Sequence, residues 1–137
     1  MMKRIFVALV VLLVSAIGAN AQTTVQKAPI KPTSAGDAKT MFNSYCSPCH
    51  GKEAKGNGPA ATALAKAPAD LTKISARNGG KFPDVKVKRY IEGLDEVAAH
   101  GSRDMPMWGE LFRSLDRDTA QIRIQGLSDY LKTLQAP

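Results

Sequence analysis

Beyond residue 34 the apolar positions of this chain fall at helical spacing, and the clearest run is the last. Ala120, Ile124, Leu127, Leu131 and Leu134 recur every three or four residues with Tyr130 beside them. This predicts one amphipathic helix capped by Asp116 or Asp118. A first helix is expected from Ser34, which can cap with Asp37 three residues on, and it carries Ala38, Met41, Phe42 and Tyr45 on its apolar side. Pro83-Asp84 opens another, with Val85, Val87, Tyr90 and Ile91 apolar and Gly93 as its stop, and Trp108 to Leu115 suits one or two turns. Between these lie a Gly- and Lys-rich loop from Gly51, a short Ala/Leu helix from Pro59 ending before Pro68, an extended or turn-like stretch 67–72, a turn at Asn78-Gly79-Gly80, and a loop from His100 to Pro106. No period-2 run long enough for a strand is present, and no internal repeat. The expected class is all-α, with short helices joined by loops long enough to need something further to pack against.

The first 33 residues follow a different pattern. Met1-Met2-Lys3-Arg4 is a positive start, Ile5 to Ile17 is apolar apart from Ser15, and Ala19-Asn20-Ala21 is a small-x-small cleavage pattern. Residues 1–21 therefore read as an export signal, whose apolar core, Ile5 to Ile17, is shorter than the about 20 apolar residues that a membrane span requires. Gln22 to Thr33, with Pro29 and Pro32, reads as a tether, so residues 22–34 are assigned to a flexible linker and 35–137 to one small domain. The expected location is the periplasm.

Charge changes this picture little. Losing Lys3 and Arg4 with the signal lowers the net charge from +7 to +5. The basic residues are dispersed and aromatics are few, which excludes a nucleic-acid binder and leaves a mild preference for an acidic partner surface. Membrane association would come only through a partner or an uncleaved signal.

The chemistry is concentrated in Cys46-Ser-Pro-Cys49-His50, which contains the only two cysteines of the chain. Two thiols three positions apart can each bond one vinyl group of a single porphyrin, with the following histidine placed to reach its iron. A redox dithiol would ask for a βαβ framework that the pattern lacks, and a zinc site using both cysteines, His50 and His100 would need ligand spacings that adjacent Cys49 and His50 do not have. One covalent haem c is therefore the expected cofactor, held by Cys46 and Cys49 with His50 as proximal ligand. It would supply the packing surface the long loops require.

The sixth ligand is to be sought in Met105-Pro106-Met107-Trp108. A thioether opposite histidine stabilises ferrous iron. Pro106 sets an extended backbone at Met105, which can project that side chain, while Met107 is the alternative as a packing residue. His100 is a second candidate ligand, and Met41 belongs on the first helix as core.

With these pieces in hand the chain resembles the small monohaem c-type cytochromes of the cytochrome c superfamily, from about Ala35 to Leu134. The resemblance rests on Cys46-x-x-Cys49-His50, Phe42 four residues before it, Tyr130-Leu131-Lys132 on the last helix, and Gly56-x-Gly58-Pro59 and Pro68-Ala69-Asp70-Leu71-Thr72 in the loops. Ala38 stands where the family commonly has glycine. The family's axial methionine sits in a Met-Pro dipeptide, which carried over selects Met105. The resemblance implies an all-α fold around one covalent haem with His50 and Met105 as axial ligands. It also implies one-electron transfer; joined to the export signal, the leading expectation is a periplasmic one-electron carrier serving redox partner proteins, an electron-transfer protein and not an enzyme. Two other readings remain open: an electron-transfer subunit of a larger oxidoreductase, and a haem enzyme or gas sensor whose sixth ligand is labile.

Overall fold

The computed structural model describes residues 30–95 and 105–136. All elements below belong to the unit Lys31–Pro137. The signal segment, most of the tether and His100 lie outside the described residues. The fold is all-α, and no strand occurs among the described residues.

Helix α1 (Ala38–Met41) begins one turn later than Ser34. Its cap is Asp37, whose side chain accepts from the Thr40 N–H at 2.9 Å, while Ser34 Oγ only closes a local turn with the Gly36 N–H. The chain then widens into a π-turn, Phe42–Cys46, and tightens again as α2, Ser47–His50. Pro48 accounts for the widening. It has no N–H to give the preceding turn, and its ring crowds the carbonyl four residues back. In the π-turn the Ser47 N–H reaches the Phe42 carbonyl, and Ser47 Oγ donates to the Asn43 carbonyl at 2.7 Å.

The Ala/Leu helix expected after Pro59 is reduced to a 3₁₀ turn, Ala61–Ala63. Helix propensity is overridden because the backbone here is already committed, with Gly58 and Ala60 N–H groups donating to the Cys49 and Pro48 carbonyls. Most of residues 62–67 are exposed, so a helix would have no face to bury. The stretch read as extended or turn-like contains a second 3₁₀ turn, Leu71–Lys73, capped by Asp70, and runs into α3, Ile74–Arg77.

Helix α4 (Asp84–Glu92) buries Val87 and Ile91, leaves Val85 69% exposed, and stops at Gly93 in the left-handed region. Helix α5 (Trp108–Leu115) buries Trp108, Gly109 and Phe112. Helix α6 (Ala120–Thr133) follows Thr119 as its cap residue, whereas Asp116 instead holds the preceding turn by accepting from the Asp118 N–H and the Thr119 hydroxyl. Helix α6 packs against α1, α4 and α5, and α4 also meets α5. The core runs from Met41, Phe42 and Tyr45 through Trp108 and Phe112 to Ile124, Leu127 and Leu131. The α6 stripe is buried as expected except Leu134, which is partly buried, and it is joined by two residues its apolar pattern did not reveal, Arg123 and Ser128. No helix among the described residues is long and apolar enough to cross a membrane.

Candidate haem site

Cys46 closes the π-turn, and Cys49 and His50 follow within α2, so the two thiols stand one helical turn apart on neighbouring positions of a single face. Both are unbridged and half-buried. Burial, and secondarily the nearby Cys49, pushes the Cys46 thiol up to about 12.

A helix end leaves its last carbonyls without intrahelical partners. Here the loop after His50 folds beneath α2 and supplies all four. The N–H groups of Gly51, Ala60, Gly58 and Gly56 donate to the carbonyls of Ser47, Pro48, Cys49 and His50 at 2.8, 2.9, 3.0 and 2.8 Å. Glycine is required at two of these positions for contact. A Cβ on Gly58 would lie 2.3 Å from the Pro48 carbonyl oxygen, and one on Gly56, where φ is +81°, would lie 2.3 Å from the Pro68 oxygen. The backbone of residues 51–69 is thereby pressed against the attachment turn.

That packing fixes the imidazole. His50 Nδ1 lies 3.1 Å from the Ala69 carbonyl oxygen. A carbonyl only accepts, so Nδ1 carries a proton, which in the neutral imidazole leaves the lone pair on Nε2. The two residues that follow Ala69 are held in turn. The Leu71 N–H donates to the Ala54 carbonyl at 2.7 Å, and Arg77 donates to the Asp70 carbonyl at 2.7 Å. The Asp70 carboxylate is kept below its ordinary range, chiefly by the Thr72 hydroxyl.

Met105 and Met107 stand just before α5. Each remains 37% exposed. Their segment is tied to the attachment turn through aromatic contacts: the Trp108 ring lies 5.5 Å from that of Tyr45, the neighbour of Cys46, and both meet Phe112. The two Tyr45 pairs are tilted and Trp108–Phe112 is stacked, and such pairs add about 0.5–1.5 kcal/mol each beyond area burial. Met107 is backed against the end of α4, where a Cβ on Gly93 would fall 2.7 Å from Met107 Cγ.

The donor set suits a covalently held haem. Two thiols one turn apart with an imidazole adjacent to them are groups that could hold haem c, and a neighbouring segment offers a thioether from either of two methionines. The alternatives fare worse. The thiols sit in a helix with no βαβ framework among the described residues, which also contain no cluster of three or more His, Cys, Asp or Glu side chains suited to a metal ion.

A family model described as cytochrome c oxidase, cbb3-type, subunit III, matches residues 33–122. The chain belongs to this family. It carries a c-type cytochrome domain of the cytochrome c superfamily; membership implies haem c, and the chemistry is haem-based electron transfer. No curated protein matches the chain, and no solved structure does. The family's loop glycines acquire a physical reason here in the contacts of Gly56 and Gly58. That a backbone carbonyl receives the second His50 nitrogen is the arrangement expected of a haem-ligating histidine, but that it is Ala69 could not be read from the sequence, because a backbone acceptor leaves no residue-type signal.

Proposed function

We propose that this chain is a periplasmic one-electron carrier with a single haem c, bonded to Cys46 and Cys49 and ligated by His50 and Met105. The observation that carries the reading is the His50–Ala69 hydrogen bond beside the two thiols on one rigid turn. When bound, haem c supplies the one-electron ferric–ferrous couple. The chain's own residues then have separable tasks. Cys46 and Cys49 prevent loss of the cofactor, and Nδ1–H donation to Ala69 sets the ring rotation of His50 and makes Nε2 a stronger donor. The Met105 thioether, being soft, favours the ferrous state. Pro106 restricts the backbone that presents it. His50, held by Ala69, would need little rearrangement between the two oxidation states.

The remaining net charge of +5 after export, from a total of +7, supports docking on partner proteins with an acidic surface. Export rests on the amino-terminal signal pattern. The family's description as an oxidase subunit favours a second reading, in which the same electron-transfer chemistry operates inside a membrane-bound oxidoreductase. Stable copurification with other subunits would select it over a diffusing carrier.

The deciding experiment is the optical spectrum of the haem-loaded protein, oxidised and then reduced. A low-spin c-type spectrum with a far-red methionine-to-iron band is expected. A high-spin spectrum that binds carbon monoxide readily would sink the His/Met assignment and favour a ligand-binding haem protein.

A further inference from the structure

Gln135 follows α6 directly, yet its side chain reaches the loop that carries Ala69. Its Nε2 donates to the Leu71 carbonyl at 2.9 Å and to the Leu131 carbonyl at 2.7 Å, and its Oε1 accepts from the Ser75 N–H at 2.8 Å. The amide orientation follows from chemistry, since two carbonyls require the two amide hydrogens and the N–H requires the oxygen. The neighbouring backbone adds a fourth bond, from the Ala136 N–H to the Thr72 carbonyl at 2.9 Å. Together these clamp the 3₁₀ turn at Leu71 and Thr72 and the start of α3 at Ser75, beginning two residues beyond the carbonyl that His50 uses.

We propose that Gln135 is a positioning residue for the proximal ligand: by pinning Leu71 and Ser75 to the end of α6 it holds the Ala69 carbonyl against His50 Nδ1. The proposal rests on the reading of His50 as the axial ligand. The side-chain amide couples the carboxyl-terminal helix to the basicity of an imidazole more than eighty residues away in sequence. Releasing the clamp lengthens the Nδ1–H···O bond, weakens Nε2 as a donor, and shifts the couple toward ferrous iron.

The test uses the haem-loaded protein. In the ferrous wild type, NMR should show His50 ring protons shifted by the porphyrin ring current; their absence would remove the ligand reading and this proposal with it. Given that signature, Gln135→Leu should speed solvent exchange of the His50 Nδ1–H by roughly five- to tenfold and raise the reduction potential. Gln135→Glu, which turns two donors into acceptors facing the Leu71 and Leu131 carbonyls, should do so more strongly. Gln125→Leu, on the exposed face of α6 where it bonds Lys88 and Asp129, should change neither. A lowered melting temperature with exchange and potential unchanged would reduce Gln135 to a structural tie and overturn the proposal. Should the variants fail to fold, the wild type decides. The Ser75 N–H and the His50 Nδ1–H should exchange through one opening with the same denaturant dependence, and independent openings would overturn the coupling.

Discussion

Gly126 on α6 crosses Ala38 on α1 so closely that a Cβ built on the glycine would lie 3.6 Å from the Ala38 Cβ. The family's usual glycine on the first helix is here an alanine, and the glycine stands on the opposite helix, so the crossing keeps one small partner. At 3.6 Å, and 3.8 Å from Met41 Cε, a methyl group makes ordinary contact. Gly126→Ala should therefore raise the stability of the haem-loaded protein by up to about 1 kcal/mol, the helix-propensity difference. Gly126→Leu should lower it by pushing α6 off α1. Denaturant titration of the three proteins decides, and a destabilising Gly126→Ala would mean that the crossing has no slack.

Gly93 offers the opposite case. Its φ is +80°, and an added Cβ would stand 2.7 and 2.9 Å from Met107 Cγ and Cβ. Gly93→Ala should lose about 1–2 kcal/mol from the left-handed backbone alone, and more from the clash. Because Met107 adjoins Pro106, the same change should displace Met105 and weaken the far-red band. Unfolding followed by absorbance measures both. An intact band beside a large loss of stability would show that Met105 is positioned independently of this contact.

The two methionines are separable by mutation. Met105→Ala should lower the reduction potential and admit carbon monoxide to the ferrous protein, whereas Met107→Ala, which removes a packing group from the Gly93 cap, should change stability more than potential. Redox titration of both variants tests the ranking. The reverse order would move the sixth ligand to Met107.

Helical periodicity made the architecture readable in advance, and the helix leading to Cys46 and Cys49 with it. Met41, Phe42, Tyr45, Ile124, Leu127 and Leu131 are core because their spacing puts them on inward faces. What escaped was set by tertiary context. The Ala-rich run after Pro59 has helix-forming residues but no buried face, and Val85 matches the apolar pattern of α4 yet points outward. The π-turn follows from Pro48 meeting a continuing helix, which periodicity alone does not reveal. Ala69 and Gln135 act through backbone carbonyls and a single long-range amide, and neither has a pattern that a sequence displays.

Arg123 is 6% exposed, and among the described residues its Nε has no hydrogen-bond partner. Its nearest contacts are weak: Thr33 Oγ1 at 3.4 Å, Met41 Sδ at 3.7 Å and the Phe112 ring at 6.0 Å, with a minor longer-range attraction to the Asp116 carboxylate. A buried cation held this loosely recovers little of its desolvation penalty. Arg123→Met, which keeps the apolar stem, should leave stability unchanged or raise it. A loss of about 3 kcal/mol or more in chemical unfolding would show that the guanidinium is properly satisfied in solution.

Acid should loosen the contact between α4 and α6. Asp84 lies below the ordinary carboxylate value of 3.8, first because Lys88 bonds its carboxylate and then because the buried Ser128 hydroxyl donates to it at 2.8 Å. A carboxylate depressed in the folded state contributes stability above its unfolded pKa and loses it as pH falls through the folded value. The Asp84 side chain is 37% exposed, so water and salt screen much of this contribution. Asp84→Asn should thus be less stable than the wild type near neutral pH, with the difference shrinking below the carboxylate range, toward about pH 2. Unfolding midpoints of both proteins across that window provide the check. A difference that stays constant with pH would assign the loss to altered hydrogen bonding with Ser128, and the carboxylate's charge would have no part in joining α4 to α6.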